Sequence, residues 1–132
     1  MEWQAPVFDR TAADAAARAD KCFFTPALLN RIEGNTAYLA QLAKVTVSTR
    51  TWSTTDFLTA SEMQRILDSL SQVRTALKAD SVGQIPQLPA TGWWDVNNIE
   101  KTQALLMDSW QKEQQAASYA GERYAGEMMG VI

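Results

Sequence analysis

The sequence has no histidine and a single cysteine in 132 residues, and these two shortages remove most catalytic apparatus at once. Without imidazole neither a Ser–His nor a Cys–His nucleophile can be assembled, and one thiolate cannot fill a tetrahedral zinc site. Cys22 has no partner for an intrachain disulfide, which makes a reducing cytoplasm the expected compartment. Beside Phe23 and Phe24 it reads as a small buried hydrophobe rather than a reactive thiol. Basic charge is also scarce. Lys and Arg total 12 against 15 acids, for a net charge of −3, which leaves no electrostatic footprint for a phosphate backbone. The acids are scattered, without the alternating Asp and Asn of an EF-hand. No charge-free stretch reaches the roughly 18 apolar residues of a membrane span, and Met1-Glu2-Trp3-Gln4 does not open as a signal peptide does. The expectation is a cytosolic, soluble, non-enzymatic chain with no catalytic, cofactor or metal site to assign.

What is present is helix. Thr11 to Lys21 contains six alanines and predicts a short helix capped by Thr11, with Asp14 at the third position. Three longer helices follow. Thr25 caps the first with Pro26 behind it, and Phe24 and Leu29 form a hydrophobic staple. Thr59 and Glu62 make a capping box for the second, stapled by Leu58 and Met63. Asp95 caps the third, with Trp94 before it and Ile99 four residues after. Leu29, Ile32, Thr36, Leu39 and Ala43, then Met63, Ile66, Leu70, Val73 and Leu77, step by three and four, as one buried face requires. The third helix is less regular, with Ile99, Leu105, Leu106, Trp110 and Ala117 spread around more of the cylinder. Gly34 costs about 1 kcal/mol relative to alanine, and close approach of another backbone is the expected reason.

Arg31, Arg65 and Lys101 each fall six residues beyond a cap; with Glu33 and Asp68 nearby they read as a solvated, locally paired face rather than a basic ridge. Asp95 and Glu100 lie five apart on one helix, about 140° round the axis, so they do not converge as an acid pair. Val45–Thr55 reads as irregular. Ser81–Gly92, carrying Gly83, Pro86, Pro89 and Gly92, forms a linker. Trp52, Trp93 and Trp94 read as anchors tying these loops over the bundle, and the alternative is a glycan-stacking surface. At the C-terminus Tyr119-Ala120-Gly121-Glu122 repeats as Tyr124-Ala125-Gly126-Glu127, and Met128-Met129-Gly130-Val131-Ile132 is an apolar tip. Paired glycines predict that the third helix stops near Ser118–Gly121. The tip then either folds back on its own bundle or docks on another subunit.

The expected fold is all-α: a three-helix antiparallel bundle over residues 1–118, with helices near 25–44, 59–79 and 95–118, a short alanine-rich N-terminal helix alongside, and an irregular or extended arm over 119–132. Tyr119, Tyr124, Met128, Met129, Val131 and Ile132 are the candidate partner-binding residues.

The order of motifs resembles a family of small proteins in tail or baseplate modules of phages and prophages of Gram-positive bacteria. The likeness rests on Trp3-Gln4-Ala5-Pro6-Val7-Phe8-Asp9-Arg10-Thr11 and on Leu29-Asn30-Arg31-Ile32-Glu33-Gly34-Asn35-Thr36-Ala37-Tyr38-Leu39. Trp52 with Asp56-Phe57 then leads into Met63-Gln64-Arg65-Ile66, followed by Asn97-Asn98-Ile99-Glu100 and the Tyr-Ala-Gly-Glu copies. The resemblance implies a structural or adaptor protein of baseplate or fibre attachment, acting by protein–protein contacts and virion-associated after assembly. Its partners would be other tail or baseplate proteins, with homo-oligomerisation open, and neither nucleic acid nor membrane. The alternative is a carbohydrate-binding module using exposed Trp52, Trp93 and Trp94.

Overall fold

A computed structural model describes residues 2–90 and 92–131, with side chains described as far as residue 116. All regular structure among them is helical: α1 (Ala12–Ala16), a 3₁₀ turn at Asp20–Cys22, α2 (Pro26–Ala43), α3 (Ala60–Ala76) and α4 (Trp93–Val131). None of these helices is long and apolar enough to cross a membrane.

The starts follow the local chemistry. Thr11 and Asp14 form a complete capping box, the hydroxyl accepting from Asp14 N and the carboxylate from Thr11 N. The alanine run nevertheless ends at Ala16, short of Lys21, because Arg18 is left-handed (φ 56°) and five alanine-rich residues hold little helix on their own. Thr25 accepts from Leu28 N. Thr59 accepts from Glu62 N, but the Glu62 carboxylate turns to Arg65, leaving only half of the expected box. The third long helix begins two residues earlier than expected. Asp95 sits inside its first turn, and its carboxylate accepts from Gly92 N at 3.1 Å.

Leu29, Ile32, Thr36 and Leu39 of α2 are buried against Met63, Ile66, Leu67, Leu70 and Val73 of α3 and Val96, Ile99 and Leu106 of α4. The antiparallel arrangement is corrected by the cross-helix pairs. Arg31 meets Glu100, while Gln103 Nε2 donates to the Ile32 carbonyl at 2.7 Å and the Thr36 hydroxyl at 2.9 Å, so α2 and α4 ascend together. Arg65 meets Glu33 at 2.5 Å, and Phe24, Leu58, Met63 and Ala90 line one cleft. All three helices start at the same end. Neighbouring helices reverse direction when loops are short. Here each connection has about sixteen residues, a reach of about 50 Å when extended, against about 27 Å for the 18 residues of α2.

The N-terminal segment and the two return segments run along the helices, and among the described residues none has a sheet partner, so helix side chains satisfy their backbone. Asn35 pairs with both the N–H and the carbonyl of Gln4, Asn97 does the same for Arg10, and Asn30 for Trp52. Thr102 repeats the arrangement with one hydroxyl, accepting from Gln84 N and donating to Gln84 O, each at 2.9 Å. Each clamp stands in for one rung of a β-ladder.

The helical assignment of α4 continues past the expected end near Ser118 to Val131. The arm expected over 119–132, with Tyr119, Tyr124, Met128, Met129, Val131 and Ile132, lies outside the residues whose side chains are described.

Candidate functional site

Two places carry chemistry worth weighing: a buried charge network and an apolar cleft. In the network, Glu100 is fully buried and receives Arg10 Nη2 at 2.8 Å and Arg31 Nε and Nη2 at 2.6 and 3.0 Å. Arg10 also donates to the Lys21 and Val7 carbonyls and to Asn97 Oδ1. A second buried acid, Glu33, accepts from Trp52 Nε1, Arg50 N and Arg65 Nη1. Pairing with Glu33 and then Glu62 holds the Arg65 guanidinium even more firmly protonated than usual. Every acceptor of this network faces a donor from another part of the same chain. Buried carboxylates with such partners are held in place rather than poised to move a proton.

This settles where the sequence candidates fall. Arg31 and Arg65 do not form a binding ridge: each reaches a carboxylate on a neighbouring helix, while Lys101 is exposed. Asp95 and Glu100 are not brought together, since Asp95 serves Gly92 N and Glu100 serves two arginines. Trp52 is corrected as a glycan-stacking candidate. It is 4% exposed, with Arg50 lying over its ring at 4.2 Å and its indole N–H on Glu33. Trp93 is half-buried and meets Trp94 edge-on at 5.6 Å; Trp94 alone of the three is well exposed, at 55%. Gly34 is corrected too, for a Cβ there would meet nothing within 4 Å.

The cleft has about 580 Å³ of space and is lined by Phe24, Leu58, Thr59, Ala60, Met63, Leu88, Pro89 and Ala90. Three parallel helices bring it into being. Phe24 and Leu58 precede the caps of α2 and α3 and pack against the core, and Leu88–Ala90 precede α4. Phe57, next to Leu58 in the chain, is 85% exposed. Contiguous apolar surface of this kind is the mark of a contact surface. Staple residues were visible in the sequence as helix-start devices, but their convergence was not. The signal that was there to find is Ile85-Pro86-Gln87-Leu88-Pro89, too apolar for a plain linker.

Compared with protein-family models, with curated proteins and with solved structures, the chain has no match in any of the three.

Proposed function

We propose that this chain is a non-enzymatic structural or adaptor protein that works by protein–protein contact, as a part of the tail or baseplate of a phage or prophage of a Gram-positive host. The observation that carries the contact reading is the apolar cleft between Phe24, Leu58, Met63 and Leu88, together with the exposed Phe57, next to Leu58 in the chain. The tail setting is supported by the resemblance of the Asn30-Arg31-Ile32-Glu33 and Asn97-Asn98-Ile99-Glu100 segments, and other tail or baseplate proteins are the partners it implies. Those segments have a structural use in this fold. Asn30 clamps the connection from α2 to α3, Asn97 clamps the N-terminal segment, Arg31 and Glu100 join α2 to α4, and Glu33 joins α2 to α3.

The test is co-expression with the products of the genes flanking its own, followed by gel filtration with light scattering. A stable complex with one of them, weakened at least tenfold by Phe57→Asp, is the expected result. A complex indifferent to Phe57→Asp and Leu88→Glu, or none with any neighbour, contradicts it. Trp94 keeps the glycan reading as the second one. Tryptophan fluorescence titrated with cell-wall glycans should stay flat, and a saturable shift abolished by Trp94→Ala would favour that reading instead.

A further inference from the structure

We propose that the apolar cleft receives the Met128–Ile132 tip of a second copy, so that the chain associates head to tail; this rests on the contact reading above and names its partner. The argument is one of direction. With α2, α3 and α4 parallel, the cleft lies at the end where all three begin. α4 runs away from that end for 39 residues, about 58 Å, while α2 and α3 have 18 and 17 residues. From Gln111 to Ala116 every residue is exposed, so α4 has already left the shelter of the body there. Its sequence then turns uncharged and apolar at Met128-Met129-Gly130-Val131-Ile132. Along a continuous α4 the tip cannot reach the cleft of its own chain, whereas a neighbouring copy offers that cleft freely.

The chemistry of the two surfaces agrees. The cleft is walled by Phe, Leu, Met, Pro and Ala of unequal size, and unbranched methionine fills irregular apolar gaps well. A surface on one end meeting a different surface on the other is a heterologous contact. Repeated from copy to copy in one direction, it propagates into a ring or a filament.

Light scattering across a concentration series tests this with the full chain and two surface variants. Ala60→Glu with Leu88→Glu charges the cleft, at two exposed positions, and Met128→Glu with Val131→Glu charges the tip; circular dichroism and thermal melting check that both stay folded. Phe57→Lys, next to Leu58 in the chain, adds a charge at a residue with no packing to lose. The unaltered chain should gain mass beyond a dimer as concentration rises, and each variant alone should stay monomeric. An equal mixture of the two should give a dimer and nothing larger, because only one intact cleft and one intact tip remain per pair. A wild-type chain that is monomeric throughout, a closed dimer indifferent to the tip variant, or a mixture without dimer would overturn the proposal. If wild type is monomeric yet still binds a tail protein through Phe57, self-association fails and the contact reading stands. If both are lost, both fail.

Discussion

Single residues here separate into those the backbone demands and those it merely tolerates. Gly83 has φ +67°, and a Cβ on it would come within 2.9 Å of the Thr102 backbone, so Gly83→Ala should cost about 2 kcal/mol or more. Gly34 sits in α2 with open space around it, and Gly34→Ala should stabilise by up to about 1 kcal/mol, raising the melting temperature by about 3–5 °C. Paired thermal melts check both signs. Glu100→Gln leaves Arg10 buried without its counter-charge and should cost about 3 kcal/mol in urea unfolding. Asp14 behaves differently, being half-buried at the surface rather than enclosed. Its hydrogen bond with Thr11 holds the carboxyl below the ordinary 3.8, so the charged form is the one that the fold favours. Its contribution is complete above 3.8 and disappears as pH falls through the lowered value. An NMR titration of the Thr11 amide should show that loss below pH 3.8, and a midpoint at or above it would contradict the capping box.

At the scale of elements, what the sequence made legible was the starts of α1, α2 and α3 and the inner faces of α2 and α3. Thr25, Thr59 and the three-and-four stripes from Leu29 and Met63 act only on neighbours in the chain, which local patterning can express. α4 looked irregular because polar groups occupy its inner face. Val96, Ile99, Gln103, Leu106 and Trp110 step by three and four like the others, with Gln103 buried between Ile32 and Thr36. Val45–Thr55 looked irregular because its partners are side chains on distant helices. Only the alternating half-buried Val45, Val47 and Thr49 hinted at an extended course. The clamps explain how such a segment holds without a sheet. Asn30→Ala removes both hydrogen bonds to Trp52 and should cost about 1–2 kcal/mol. Hydrogen exchange at the Trp52 amide should accelerate while the amides of α2 and α3 keep their protection; unchanged exchange at Trp52 would mean that the clamp holds nothing.

The whole molecule turns on direction, which no local signal in the sequence carries. Long connections allow the helices to run the same way, and parallel helices bring three positive dipole ends to one place, where Glu62 and Asp95 in the first turns of α3 and α4 offset them. The same convergence gathers the residues before each helix start into the apolar cleft, so a staple that looks purely local becomes part of a contact surface. Had α3 run antiparallel, Leu58 and Met63 would lie a helix length from Phe24 and the cleft would not exist.

Spin labels on cysteines placed at exposed Ala27, Ser61 and Gln72, with Cys22→Ser as background, measure that direction in solution. The Ala27–Ser61 distance, between the starts of α2 and α3, should be clearly the shorter, and Ala27–Gln72 longer by a large part of a helix length. The reverse order would show antiparallel helices and remove the apolar end on which the contact reading stands.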